Sequence, residues 1–257
     1  MFLSVRALLL SRKIYKESDY ILQILSKEHG IIRCMASGAA KSGSRFSFGT
    51  QPGFLVDFVL RQSKNYWYVK ELEIVESFRN VQEDICCLTA AAHLLEIAED
   101  VCVDIETSQS VLFLLLHAFY AMHEKKKNYQ LVVSVFEWRM MNILGLEADF
   151  EEYTEENRQK YGYAVFSYPA CRLIYQNKAQ VYGQNQIYNQ KKDSLQIVSE
   201  GTIEALFYIQ QTQPEKLFSF DVKDEILEEM VKLTHRYLCD RLEKNYSKLQ
   251  LLSMEII

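Results

Sequence analysis

Apolar and polar residues alternate in short runs along residues 3–78, and turn-forming residues separate the runs. This pattern is typical of β-strands. A hairpin connection is expected at Lys27 to Gly30, because glycine takes a positive φ without strain. Five short strands fit a small closed barrel, for which the OB-fold is a common form and an SH3-like barrel is the alternative. The five runs are Val5 to Leu10, Tyr20 to Leu25, Gly30 to Met35, Phe54 to Leu60, and Tyr66 to Leu72.

Beyond Asn80 the apolar residues recur every three to four positions, which predicts helices. The expected helices span about 82–101, 111–122 and 129–144, and two more begin after the N-caps Ser199 and Asp224. Between residues 148 and 198 the pattern breaks down into an irregular hairpin region with an exposed loop at 184–192. We therefore predict an α+β, multi-domain protein with a barrel domain at 1–80, a helical domain at 81–257, and an irregular insert at 148–198.

Charge divides the chain at the same place. Residues 1–80 carry twelve lysine and arginine residues against seven aspartate and glutamate residues, a net charge of +5, and the remainder carries −10. A basic first part on an acidic remainder indicates a polyanion-binding surface in the barrel alone.

The six cysteines include no pair with the C-x-x-C spacing of a metal or redox site, which suits buried thiols in a reducing compartment. No apolar run approaches the length of a membrane span, and Arg6 interrupts the apolar start of the chain. We expect a cytoplasmic protein without a membrane segment.

Binding of single-stranded nucleic acid needs cations along a groove and flat side chains on which bases stack. Most surface cations are simply solvated, and barrel aromatics more often fill the core. Lys41 and Arg45 are the strongest candidates, because their glycine- and serine-rich loop offers little apolar surface for long side chains to cover. The other predicted DNA-binding cations are Arg12, Lys13, Lys16, Lys27 and Arg33, and the candidate stacking rings are Tyr15, Phe46 and Phe48, with Tyr66, Trp67 and Tyr68 as further possibilities.

The sequence offers little support for a catalytic site. His235 and Cys239 are one helical turn apart, but no further ligand is near them in sequence, so we interpret the pair as packing. There is neither a phosphate-binding glycine motif nor an H-E-x-x-H motif. We predict a protein that is not an enzyme and has no cofactor, metal or catalytic residue.

Short motifs occur in a fixed order through the chain. They are Tyr15-x-Glu17-x-Asp19, Glu28-His29-Gly30, Ala36-x-Gly38 followed by Lys41 and Arg45, Gln51-Pro52, Glu73-x-x-Glu76-Ser77-Phe78, Leu94-Leu95-Glu96, Phe136-Glu137-x-Arg139, Leu144-Gly145-Leu146, Ala148-Asp149-Phe150, Lys216 to Phe220, Tyr237-Leu238 and Tyr246 to Leu249. In their order and spacing these motifs resemble the RecO recombination-mediator family of bacterial DNA repair.

The resemblance implies an N-terminal OB-fold, a helical domain and often a small zinc-ribbon insert. This chain departs from the family pattern in the insert, where Tyr153 and Glu156 stand in place of the first cysteine pair and only Cys171 follows. One thiol cannot complete a tetrahedral zinc site. We predict a ribbon-like insert without metal.

The resemblance also implies function: binding of single- and double-stranded DNA, annealing of complementary strands, and loading of RecA recombinase onto DNA coated with single-strand-binding protein. RecR and single-strand-binding protein are the implied partners. Two alternatives stay open from the residues alone. One is a protein-interaction scaffold that never touches nucleic acid, and the other is an RNA-binding OB-fold protein.

Overall fold

The computed structural model describes residues 1–41, 43–124, 127–161, 163–176 and 194–254. The chain forms two compact units. The first consists of Met1–Tyr129 together with Tyr246–Ile257, and the second of Gln130–Asn245. The first unit thus includes helices beyond residue 80, and the domain boundary at that residue stays a prediction.

The first unit begins with a closed barrel in the strand order β1-β2-β3-β5-β4, in which β1 also pairs with β4. All neighbours are antiparallel except β3 and β5, which pair in parallel over two residues. The predicted five-stranded barrel and α+β class are confirmed. The strands are β1 (Phe2–Tyr15), β2 (Asp19–Ser26), β3 (Gly30–Ala36), β4 (Leu55–Ser63) and β5 (Tyr66–Glu76).

Alternation in the strands places one face of each in the barrel core. Val5, Ala7 and Leu9 of β1 belong to this core. Leu8 and Leu10 are also buried, although a strand's neighbouring residues point to opposite faces. A helix contacts the outer face of β1 here, so this strand is covered on both sides.

Three helices follow the barrel in the first unit: α1 (Arg79–Glu83), α2 (Ile85–Val101) and α3 (Ile105–His123). Asp84 and Asp104 cap α2 and α3 by accepting hydrogen bonds from backbone amides in the first turn. The cap at Asp84 divides the predicted 82–101 helix in two, and the cap at Asp104 starts the next helix earlier than its apolar run. Glu99 of α2 accepts a hydrogen bond from Ser11 of β1 at 3.2 Å, which fixes the helix against the barrel.

The C-terminal segment returns to α2. Tyr246 is buried with its ring 6.0 Å from that of His93, and Lys248 donates to the Ala92 carbonyl oxygen at 3.1 Å. A short helix, α8 (Leu251–Met254), follows.

The second unit combines helices with a three-stranded antiparallel sheet of order β7-β6-β8. Ser199 caps its helix as predicted, whereas Asp224 is the first helical residue and Lys223 is the N-cap, so that prediction is wrong by one position. The loop predicted at 184–192 lies entirely outside the described residues. The elements are α4 (Tyr129–Ile143), α5 (Glu155–Lys160), β6 (Tyr163–Ser167), β7 (Arg172–Gln176), β8 (Leu195–Val198), α6 (Glu200–Gln211) and α7 (Asp224–Leu242).

A buried carboxylate joins α4 to α7 in this unit. Glu137 is 1% exposed, and its two oxygens accept hydrogen bonds from the Thr234 hydroxyl at 2.8 Å and from His235 Nδ1 at 2.9 Å. The hydrogen bond to Cys239, followed by the one to Glu137, raises the pKa of His235 from 6.5 to about 10. His235 and Cys239 therefore belong to a structural network, and Glu137 is the member that sequence spacing did not reveal.

This network predicts a pH-dependent stability. Because the pKa of His235 is higher in the folded state, its stabilisation is complete below about pH 6.5 and is lost as the pH rises through about 10. The unfolding free energy should fall over this range by at most about 1.4 kcal/mol per pH unit. Urea unfolding at pH 6, 8 and 10 measures it, and parallel pH profiles for the wild type and His235→Gln would contradict the assignment.

Candidate nucleic-acid interface

A groove of about 370 Å³ opens on the barrel wall where β3 and β5 pair. Aromatic, aliphatic and cationic side chains line it, and within the described part of the chain no carboxylate does. The lining residues are Tyr15, Lys16, Ile21, Arg33, Cys34, Met35, Tyr66, Trp67 and Tyr68.

Strand register builds this wall from all five strands. Lys13 pairs with Ile21, Ile21 with Met35, Met35 with Tyr68, and Tyr68 with Arg61. Since paired residues on neighbouring strands share a face, these five side chains form one row on the outer wall. Its two ends are the exposed cations Lys13 and Arg61, and its middle is apolar and half-buried.

Two turns beside the groove carry lysines in an unusual backbone conformation. Lys16, in the turn between β1 and β2, has φ 55°, and Lys64, in the two-residue turn between β4 and β5, has φ 53°. Glycine or asparagine normally occupies this region, because other side chains are strained there. Both lysines are exposed, so each turn presents a cation next to the groove.

The loop that follows β3 brings Lys41 to the same turn as Lys16. The Gly38 amide donates to Asp19 Oδ1 at 2.8 Å, and the Ala40 amide donates to the Ser18 carbonyl oxygen at 2.9 Å. Lys41 follows directly and is exposed.

Arg45 of the same loop is held by the barrel. Its guanidinium donates to the Lys70 carbonyl oxygen at 3.1 Å and lies 4.5 Å from the centroid of the Phe46 ring. Phe46 itself is only 9% exposed and belongs to the core. The Phe46 ring therefore packs the barrel interior, with Arg45 over it.

The remaining predicted residues take different positions. Arg12 donates to the Thr50 carbonyl oxygen at 3.2 Å and lies over the Tyr20 ring. Lys27 is exposed at the β2–β3 turn, six residues along β2 from the groove, or about 20 Å at strand spacing. Phe48 is 66% exposed and lies edge-on to Phe54, away from the residues that line the groove. The groove lining therefore includes Lys16, Arg33 and Tyr15, and Lys13 lies in the row that crosses the groove, whereas these three residues belong to neither.

Sequence reasoning did not select Arg61 and Lys64 for this surface. Both lie in the alternating pattern as ordinary polar residues of β4 and its turn. Their closeness to the groove depends on the β4–β5 register, which no local pattern reveals.

In the insert, Cys171 and Tyr153 make contacts other than those of zinc ligands. The Cys171 thiol donates to the Tyr168 carbonyl oxygen and accepts from the Arg241 guanidinium, both at 3.3 Å. The Tyr153 ring packs 5.0 Å from the ring of Phe207. A guanidinium on the thiol and an aromatic ring in place of a ligand do not fit a zinc ion, which needs four nitrogen, oxygen or sulfur ligands.

We accordingly expect elemental analysis of the purified protein to find much less than one zinc per chain. Adding a chelator should leave the melting temperature unchanged, since no folding free energy would come from metal binding. One zinc per chain that survives dialysis would contradict this prediction.

Comparison with protein-family models now places the chain. A model described as Recombination protein O N terminal matches residues 1–78, and one described as Recombination protein O C terminal matches residues 82–250. The chain belongs to the RecO family. This membership identifies the barrel as the RecO OB-fold domain and the protein as a RecO family DNA repair protein.

Three relatives, each named DNA repair protein RecO, match the RecO chain along nearly its whole length. The protein of Acetivibrio thermocellus is 31% identical over 233 residues, which cover 91% of this chain and 89% of the relative. That of a Thermoanaerobacter species is 22% identical, covering 94% and 93%. That of Caldanaerobacter subterraneus subsp. tengcongensis is 21% identical, covering 95% of both.

The structure also bears on the membrane prediction for this RecO family member. None of the helices in the described residues combines the length and apolar character that a membrane crossing requires.

Proposed function

We propose that this RecO family protein binds single- and double-stranded DNA through the outer wall of its barrel and acts by binding rather than by catalysis. The observation that carries the proposal is the row that runs from Lys13 to Arg61 across all five strands, with Lys16 and Arg33 beside it. Cations aligned along a groove whose lining, in the described part of the chain, contains no carboxylate suit a sugar-phosphate chain, whose condensed counterions they release on binding. The net charge of +5 in residues 1–80 agrees with this role.

Family membership supports finer roles as part of the same proposal. The protein would anneal complementary strands, because two strands that are both partly neutralised on one surface repel each other less. It would also help RecA recombinase replace single-strand-binding protein, with RecR as a further partner. The cytoplasmic, nucleoid-associated location follows from this role.

A salt-series titration tests DNA binding. Fluorescence anisotropy of a labelled single-stranded oligonucleotide should show binding at low salt that weakens steeply as salt rises, with the logarithm of the affinity linear in the logarithm of the salt concentration. Unlabelled duplex DNA and RNA of matched sequence serve as competitors. Absence of binding at low salt would favour the protein-interaction scaffold, and a strong preference for RNA would favour the RNA-binding alternative.

Annealing needs its own measurement. Two complementary oligonucleotides that carry a donor and an acceptor dye should pair faster in the presence of the protein, as energy transfer reports. A rate equal to that without protein would remove annealing from the proposal while leaving DNA binding intact.

Substitutions at Lys41 and Arg45 should have different effects, the first on DNA affinity and the second on folding stability. Lys41→Ala is expected to lower oligonucleotide affinity and reduce the salt slope by about 0.7, the value for one phosphate contact on a single strand, without changing the melting temperature. Arg45→Ala should lower the unfolding free energy by about 0.5–1 kcal/mol, because it removes an exposed cation from the Phe46 ring together with one hydrogen bond. An Arg45→Ala protein as stable as the wild type would contradict its structural role.

A further inference from the structure

The floor of the barrel groove differs in chemistry from its rim. Ile21, Met35 and Tyr68 lie side by side across β2, β3 and β5 and are each half-buried. This floor suits phosphate poorly, because Ile21 and Met35 carry neither charge nor hydrogen-bond donor and Tyr68 offers a single neutral hydroxyl. Apolar and aromatic side chains in a cation-lined groove instead suit the flat, uncharged rings of nucleic-acid bases.

Exposed aromatic rings stand at both ends of this floor. Tyr15 is 39% exposed at the end of β1, and Tyr66 is 63% exposed at the start of β5. The Lys16 ammonium lies 5.3 Å from the centroid of the Tyr15 ring. A ring with a cation beside it matches the two parts of one nucleotide, a base that stacks and a phosphate that is neutralised.

We propose that the groove seats unpaired bases of a DNA strand on Ile21, Met35 and Tyr68 between the rings of Tyr15 and Tyr66, and that this floor distinguishes single strands from duplex. The inference rests on the proposed DNA-binding function and assigns its strand selectivity. In a duplex the bases are stacked inside, so a duplex contacts the cations of the rim alone. An unpaired strand contacts both the rim and the floor.

The floor also determines whether the groove can recognise the sequence of bases. Ile21 and Met35 have no hydrogen-bonding side-chain group, and the amide and carbonyl groups that β2 and β3 exchange along their ladder are occupied by one another. Hydrogen bonds to base edges, which carry sequence information, therefore have few partners here. The groove should accept any base by stacking.

The test compares strand types on one set of variants. Tyr15→Ala/Tyr66→Ala should weaken binding to a single-stranded oligonucleotide by about tenfold or more, and binding to a duplex of the same length by less than about twofold. Tyr15→Phe/Tyr66→Phe keeps the rings and should restore single-strand affinity. Phe48→Ala removes a similarly exposed ring outside the groove and should change neither affinity.

Retained duplex binding shows that the double variant is folded. If it melts below the assay temperature, Tyr66→Ala alone answers the same question, because that side chain is the more exposed. Equal losses for both strand types in a folded variant, or no loss for either, would overturn the selectivity while DNA binding by the wild type stands. A wild type that binds neither strand type would overturn the proposed function as well.

Discussion

Lys13→Glu/Arg61→Glu should weaken binding of a single-stranded oligonucleotide by about 100-fold or more at low salt. The two residues end the row that crosses the barrel wall, and both are exposed. A hydrogen bond to a charged group is worth about 1.5–3 kcal/mol, so the loss of two phosphate contacts amounts to at least about 3 kcal/mol. At about 1.4 kcal/mol per factor of ten, that is the stated loss before repulsion by the new carboxylates is added.

A matched control separates position from total charge. Lys27→Glu/Lys232→Glu makes the same change in net charge with two exposed lysines that lie outside the row from Lys13 to Arg61 and outside the groove lining. Its affinity should stay within a few-fold of the wild type. If the control loses as much affinity as Lys13→Glu/Arg61→Glu, the protein binds DNA through its overall charge, and the row has no special role.

Glu137→Ala should produce the largest loss of stability, about 3–5 kcal/mol in the free energy of unfolding. The substitution leaves the Thr234 hydroxyl without this acceptor and removes the carboxylate that pairs with His235 in a buried site. Removal of one partner from a buried pair costs this much because the remaining charge stays poorly solvated. Urea unfolding of the wild type and the variant at pH 7 measures the difference.

Two control variants accompany this measurement. Glu137→Gln keeps the shape and one acceptor, so its loss should be smaller than that of Glu137→Ala. Glu228→Ala removes an exposed carboxylate of α7 and should change the unfolding free energy by less than about 0.5 kcal/mol. A Glu137→Ala protein with the stability of the Glu228→Ala protein would show that the buried network contributes little.

Much of the architecture could be read from the sequence, because the relevant signals are local. Alternation at every second residue marks the five strands, and the change to a period of three to four marks the helices. Gly30, with φ 61°, and the Ser199 cap act within a few residues of themselves. Even the shift of the last N-cap from Asp224 to Lys223 is an error of one position at a frayed boundary.

The candidate site was less accessible to this reasoning. Residue type and loop composition selected Lys13, Lys16 and Arg33, which do lie at the groove. The same criteria selected Arg12, Arg45 and Phe46, whose partners come from segments up to 38 residues away. Composition does not show whether the guanidinium of an arginine is available to a phosphate or donates to a carbonyl oxygen of the protein.

The sequence by itself determined that a basic five-stranded barrel precedes an acidic helical region, because periodicity and charge are properties of neighbouring residues. Tertiary structure alone decided which cations share a wall with the aromatic floor, since Lys13 and Arg61 fall in one row only when the closed barrel sets the register of all five strands. It also decided that Glu137 lies between Thr234 and His235, nearly one hundred positions along the chain. Contacts over such separations depend on how strands and helices pack, and no short stretch of sequence contains that information.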